Sequence, residues 1–293
     1  MGILTIILFF IYTYCLGFSL TRWVQNSDNP LERNIIRVGF GLSTFVLLGV
    51  IFNLIHIPID WKWFLLVSLI IPVYSLAKAI KNKQLSIPKI NLTKTNLAIA
   101  IAVLIAAFAF FMYAKGAFSY PYLENDDPWG HAEGAKYVAV EKSIETSAVS
   151  LDKRFTGVRF FGYLDPYPPG YDMLMGVLHQ TAPSLNWTLK FFNALIISLG
   201  ILFFFFFAKD FLGDNKKALF STFTLGLIPA YFTHFIWAHS LIIAVFLPAL
   251  YAMQKIKADK RWYIVLAVVT AGILLIQPSK IFKLIPMIIM YLG

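Results

Sequence analysis

Leu97-Ala98-Ile99-Ala100-Ile101-Ala102-Val103-Leu104-Ile105-Ala106-Ala107-Phe108-Ala109-Phe110-Phe111-Met112-Tyr113-Ala114 is eighteen residues without a charge. A helix needs about 20 apolar residues to cross hydrocarbon, so this run reads as a membrane span. Similar runs occur at 3–20, 38–56, 61–77, 189–208, 218–233, 236–254 and 262–277, and a ninth begins at Ile281 and runs to Gly293. With 59% hydrophobic residues, 14% charged residues and 28 Phe, the chain has too little polar surface for an ordinary soluble domain. The expected fold is all-α, a polytopic transmembrane helical bundle with a large outward-facing loop that carries short helices.

Charge sets the expected orientation. Lys78, Lys81, Lys83, Lys89 and Lys94 follow the third run with no acid among them, which marks a cytoplasmic link. By alternation, 15 of the 25 basic residues fall in short cytoplasmic links, and the stretch 115–188, with nine acids, lies on the opposite side. The net charge of +10 is therefore a membrane-orientation signal and no nucleic-acid partner is expected. The single cysteine, Cys15, allows no disulfide within the chain. The first run has no basic segment before it and is read as a retained helix, not a cleaved signal.

Roughly ten residues past the span of 97–114 comes Glu124-Asn125-Asp126-Asp127-Pro128-Trp129-Gly130-His131-Ala132-Glu133-Gly134-Ala135, with four carboxylates in twelve residues. Carboxylates so close repel one another unless water, a cation or donors offset the repulsion. Asp127 before Pro128 reads as a helix N-cap, with a helix from Pro128 to about Ser143. His131 falls one turn after Asp127 on the same face. Either Asp127 is only a cap, or it carries chemistry at the membrane edge.

Two further stretches belong to the same outer side. Tyr163-Leu164-Asp165-Pro166-Tyr167-Pro168-Pro169-Gly170-Tyr171-Asp172 reads as a stiff extended path. It leads into a short helix from about Tyr171 to Thr181, expected to lie along the interface because Met173, Leu174, Val177 and Leu178 share a face. The outer turn at 231–240 carries His234 and His239, roughly 140° apart on a continuous helix.

Asp127-Pro128-Trp129 with Ala132-Glu133-Gly134-Ala135 resembles the first acidic motif of the oligosaccharyltransferase catalytic subunits, membrane glycosyltransferases of the GT-C superfamily. The resemblance runs from about Asn96 to Ile256. It implies accessory transmembrane helices at 1–95 and a GT-C-like core at 96–293, with the catalytic loop at 115–188 on the non-cytoplasmic face of the plasma membrane.

The implied activity is transfer of a sugar or oligosaccharide from a polyprenyl phosphate or diphosphate donor to a protein or glycan acceptor. Asp127 and Asp126 are the expected catalytic residues, and His131, Lys136, Glu133 and Tyr167 are expected to contact substrate. Asp127, Glu124, His234 and His239 would hold a divalent ion, manganese or magnesium. The family's second acidic motif has no counterpart in the 231–240 turn, where the two histidines stand instead. The family's Trp-Trp-Asp-Tyr-Gly signature is also absent, and because the chain stops inside an apolar run, a truncated C-terminus is expected. The alternative is a non-catalytic subunit or a lipid-glycan transporter, although transporters place charges near the bilayer midplane and these spans are nearly charge-free.

Overall fold

The computed structural model describes residues 2–83, 93–145, 167–228, 231 and 235–292. Among them it is all-helical. The helices are α1 (Ile3–Thr21), α2 (Pro30–Leu54), α3 (Trp61–Lys81), α4 (Lys94–Phe118), α5 (Asp126–Glu141), α6 (Gly170–His179), α7 (Leu185–Leu212), α8 (Asn215–Leu227), α9 (Ala238–Lys255), α10 (Trp262–Ile276) and α11 (Ile281–Leu292). Six of them, α1, α2, α3, α4, α7 and α9, are long and apolar enough to cross a membrane. The chain is a multi-pass helical membrane protein.

Helix starts follow local chemistry. Asn29, Asp60, Thr93, Ser184 and Asp214 each accept a backbone N–H in the first turn of α2, α3, α4, α7 and α8. Gly213, at φ +64°, closes α7 in the left-handed region that a side chain would resist.

Helix ends correct the expected spans. The run at 218–233 gives a helix of only 13 residues and the run at 262–277 one of 15. Both stop one residue short of the residue that precedes a proline, Ile228 before Pro229 and Gln277 before Pro278. Those two residues are extended, with ψ of 121° and 97°, because a following proline disfavours the helical region.

Side-chain bonds sort the helix ends into two groups. At one end Asn29 donates to Asn96, Gln25 meets Asp259 and Trp262, and Asn215 donates to Thr95. There Glu32, fully buried, takes an ion pair from Lys209 and a 2.8 Å hydrogen bond from Tyr251. Stranding one partner of such a pair costs about 3–5 kcal/mol, so this network ties α2 firmly to α7 and α9. At the opposite end Asn53 binds Ser143, Ile144 and Glu145, Lys142 pairs with Asp60, and Gln180 bridges Ile59 and Trp61. The expected alternation of links matches these two groups. Cysteines placed at the exposed positions Asn82 and Lys136, in a Cys15→Ser background, are expected to react with an impermeant reagent from opposite faces of a sealed vesicle. Labelling of both from one face would overturn the topology.

Most of the buried apolar residues form one cluster, and a smaller second one joins α4 to α7. Buried residues of α1 and α2, among them Phe9, Tyr12, Phe40 and Phe45, share one apolar cluster with α6, α7, α9 and α10. The first three helices thus pack as part of the bundle.

The largest departure concerns α6. The interfacial placement expected for 171–181 is wrong: every residue from Gly170 to Leu178 is buried, against α5 on one side and α2, α7, α9 and α10 on the others. Gly176 permits the approach to α5, since a Cβ there would lie 2.7 Å from Val138 Cβ and 2.8 Å from the Ala135 carbonyl oxygen. Small residues that let backbones close up are the usual glue between helices in a membrane.

Candidate functional site

The site is built on the first turn of α5. Its N-cap is Asn125, held at φ +71° with its side-chain oxygen accepting the Asp126 N–H at 2.7 Å. The expected cap at Asp127 is therefore corrected. Asp126 and Asp127 occupy the first two helical positions, and Pro128 the third, where a missing N–H costs nothing because the first four donors have no partner within the helix. Asp126 is exposed and Asp127 half-buried.

Four residues on, His131 is 2% exposed and both of its ring nitrogens are engaged. Nδ1 lies 2.7 Å from Oδ1 of Asp172 on α6, and Nε2 lies 3.2 Å from the backbone nitrogen of Ala238, the first residue of α9. An amide N–H can only donate, so Nε2 holds the lone pair and Nδ1 the proton that goes to Asp172. Burial pushes the Asp172 carboxyl up from the ordinary carboxylate range, and the His131 contact partly opposes this. His131 is thereby placed inside the protein, between three helices.

The other expected residues divide. Tyr167 is half-buried, edge-on to His131 at 5.9 Å between ring centroids, and its phenol is pushed up by burial and by the fields of Asp172 and Asp127. Glu133 is half-buried, and burial raises its carboxyl. Lys136 is exposed nine residues after Asp127, about 13 Å along the helix, and sits near His179 instead, whose imidazole is lowered by burial and by that lysine. Glu124 is exposed and lines a narrow crevice with Lys190, Pro128 and Phe235. His234 lies outside the described residues, as does Asp165.

The His239 ring meets that of Trp237 at 4.2 Å between centroids, tilted by 34°, and lies within electrostatic range of Asp127, His131, Lys280 and Lys283. It lines a groove of about 390 Å³ together with Lys280 and Lys283. The rest of the lining is Tyr231, between α8 and α9, and apolar side chains of α7, α8 and α9, including Phe204, Leu225, Ile242 and Phe246. Two ammonium groups beside an imidazole attract an anion and repel a cation.

That electrostatic setting bears on the expected metal set. Among the described residues, no three His, Cys, Asp or Glu side chains converge as a metal site requires. Glu124 faces Lys190, while His239 faces two lysines. Of the four expected donors, Asp127, Glu124 and His239 lie among the described residues and His234 does not.

No local sequence pattern marks Lys283 as part of a site. The signal for Asp172 was a lone acid in a short helix otherwise apolar on all sides, a composition that belongs in a protein interior. Comparison with protein-family models, with curated proteins and with solved structures finds no match for this chain.

Proposed function

We propose that the chain is a membrane glycosyltransferase that takes a sugar from a polyprenyl phosphate or diphosphate donor and passes it to a hydroxyl or amide of a protein or glycan acceptor. The observation that carries this reading is the groove: apolar along its length, headed by His239, Lys280 and Lys283, and within electrostatic range of Asp127. Such a groove has the chemistry of a lipid phosphate, hydrocarbon below and an anion at the rim.

The reaction needs two things at the anomeric carbon. As the acceptor's oxygen or nitrogen forms its bond there, the bond to the phosphate oxygen breaks, and the electron pair leaves with the phosphate. Lys280 and Lys283 offset the charge on that leaving group, and Asp127 accepts the acceptor's proton. Tyr167, between Asp127 and Asp172, lines the approach to the acceptor side. Asp126, exposed on the same turn, supports the negative rim of the acceptor path.

The test uses the purified protein in proteoliposomes with radiolabelled polyprenyl-phosphate and polyprenyl-diphosphate sugars. Label is expected to leave the lipid fraction and to appear on acceptor. Label that crosses the bilayer still attached to its lipid would replace this reading with the non-catalytic transport reading.

A further inference from the structure

Asp172 is 1% exposed, and its second oxygen, Oδ2, has no hydrogen-bond partner among the described residues. That oxygen lies against Gly134: a Cβ on residue 134 would stand 2.5 Å from it. A carboxylate enclosed in this way, with only His131 to satisfy it, adds little stability of its own, since desolvation consumes what the pairing returns. What the arrangement does supply is geometry.

We propose that Asp172 and His131 form a positioning pair that locks the start of α9 to α5, and so holds His239 and its lysine neighbours in register with Asp127. The inference rests on the reading of Asp127 and the lysine-headed groove as one site. His131 is four residues after Asp127 on α5, and its Nε2 accepts the N–H of Ala238, the residue before His239. One link between the two halves of the site is thus the His131 imidazole. Asp172 fixes which nitrogen of that imidazole carries the proton, and hence that the other can accept.

The Ala238 N–H is one of the four donors that a helix start leaves without an internal partner. Trp237, at the cap position of α9, makes no side-chain capping bond, so His131 serves that end from a different helix. A second tie runs in parallel. Asn193 Nδ2 donates to the Phe235 carbonyl at 3.0 Å, Tyr171 donates to Asn193 Oδ1 at 3.2 Å, and the Tyr171 ring meets His131 edge-on at 4.8 Å. Both ties end on the few residues that lead into His239. Neither His131 nor Asp172 lines the groove.

Isosteric variants separate the two halves of the link. His131→Asn places a donor where Nδ1 stood and nothing that reaches Ala238. Asp172→Asn keeps the acceptor for Nδ1 and removes only the charge. Ala238→Pro removes the N–H and sets a ring methylene against His131 Nε2 in its place, so the bond is lost while proline still suits a first helical position. Trp237, at φ −164° and ψ 163°, already has the extended backbone that a following proline requires.

Two readouts are taken in nanodiscs: amide exchange of residues 239–245, and the Kd for undecaprenyl phosphate. In His131→Asn and Ala238→Pro, exchange is expected to accelerate and Kd to rise, each by about tenfold, the scale of one lost hydrogen bond. Asp172→Asn should stay near wild type in both, which a loss of packing or folding would not allow. Unchanged exchange in folded Ala238→Pro would overturn the pair's role, as would equal loss in Asp172→Asn and His131→Asn. If the wild type binds no undecaprenyl phosphate, the functional reading fails, while the exchange data still decide the positioning.

Discussion

Asp127→Asn is expected to lower sugar transfer by about 10²–10⁴-fold, the range lost with a general base, while thermal unfolding shifts little. The structure makes this substitution discriminating because the α5 cap is Asn125 and not Asp127. Removing the charge at the second helical position weakens its interaction with the helix N-terminus, about 0.3–1 kcal/mol, and leaves the Asn125 capping bond in place. Asp126→Asn, exposed one residue earlier, serves as the control and should cost a few-fold at most. Transfer is followed by release of label from the lipid donor, and folding by the unfolding midpoint in detergent. A fully active Asp127→Asn protein would remove the base from the mechanism.

The second large effect is expected from Lys280→Ala combined with Lys283→Ala. Hydrogen bonds to charged groups contribute about 1.5–3 kcal/mol each, so losing both should raise the Kd for a polyprenyl phosphate by on the order of 10²-fold or more. The remaining dependence on ionic strength should flatten, because the steering charges are gone. The lysines sit at and after a short 3-10 turn, Pro278–Lys280, with Lys280 half-buried and Lys283 exposed, so the bundle itself should tolerate the change. Equilibrium binding in nanodiscs at two salt concentrations reads both effects. An unaltered Kd would place the phosphate elsewhere.

What the sequence disclosed, and what it hid, follows from how far each signal reaches. The long spans were legible because twenty apolar residues in a row can serve few purposes, and α1, α3 and α4 fall within a few residues of their expected limits. Prolines 229 and 278 were visible too, yet a count of apolar residues ignores what a proline does to the residue before it. The acidic turn at 124–127 was found by composition alone. Its capping residue was assigned two positions late because Asp-Pro is a strong local pattern, while an Asn with positive φ leaves no such mark. The misplacement of α6 came from counting one apolar face and passing over Tyr171, Met175 and Gly176 on the other. His131 and Asp172 are 41 residues apart, and no local spacing announces that an imidazole on one helix will meet a carboxylate on another.

The 13-residue length of α8 has a consequence for the surrounding lipid. At 1.5 Å per residue it reaches about 20 Å, well short of a hydrocarbon layer of about 30 Å, while its neighbour α4 has 25 residues. The perimeter of the protein is therefore uneven in height. Where α8 ends at Leu227, an apolar notch of about 380 Å³ opens against Leu104, Ile105 and Phe108 of α4. Acyl chains beside this notch have to bend inward or the leaflet has to dip, and each ångström of mismatch costs a fraction of a kcal/mol. On the proposed reading, a dip on that flank would shorten the distance a hydrophilic sugar must cover between water and the rim of the neighbouring groove. The thickness of the host bilayer would then be a variable of the proposed reaction, with short-chain lipids easing access and long-chain lipids opposing it.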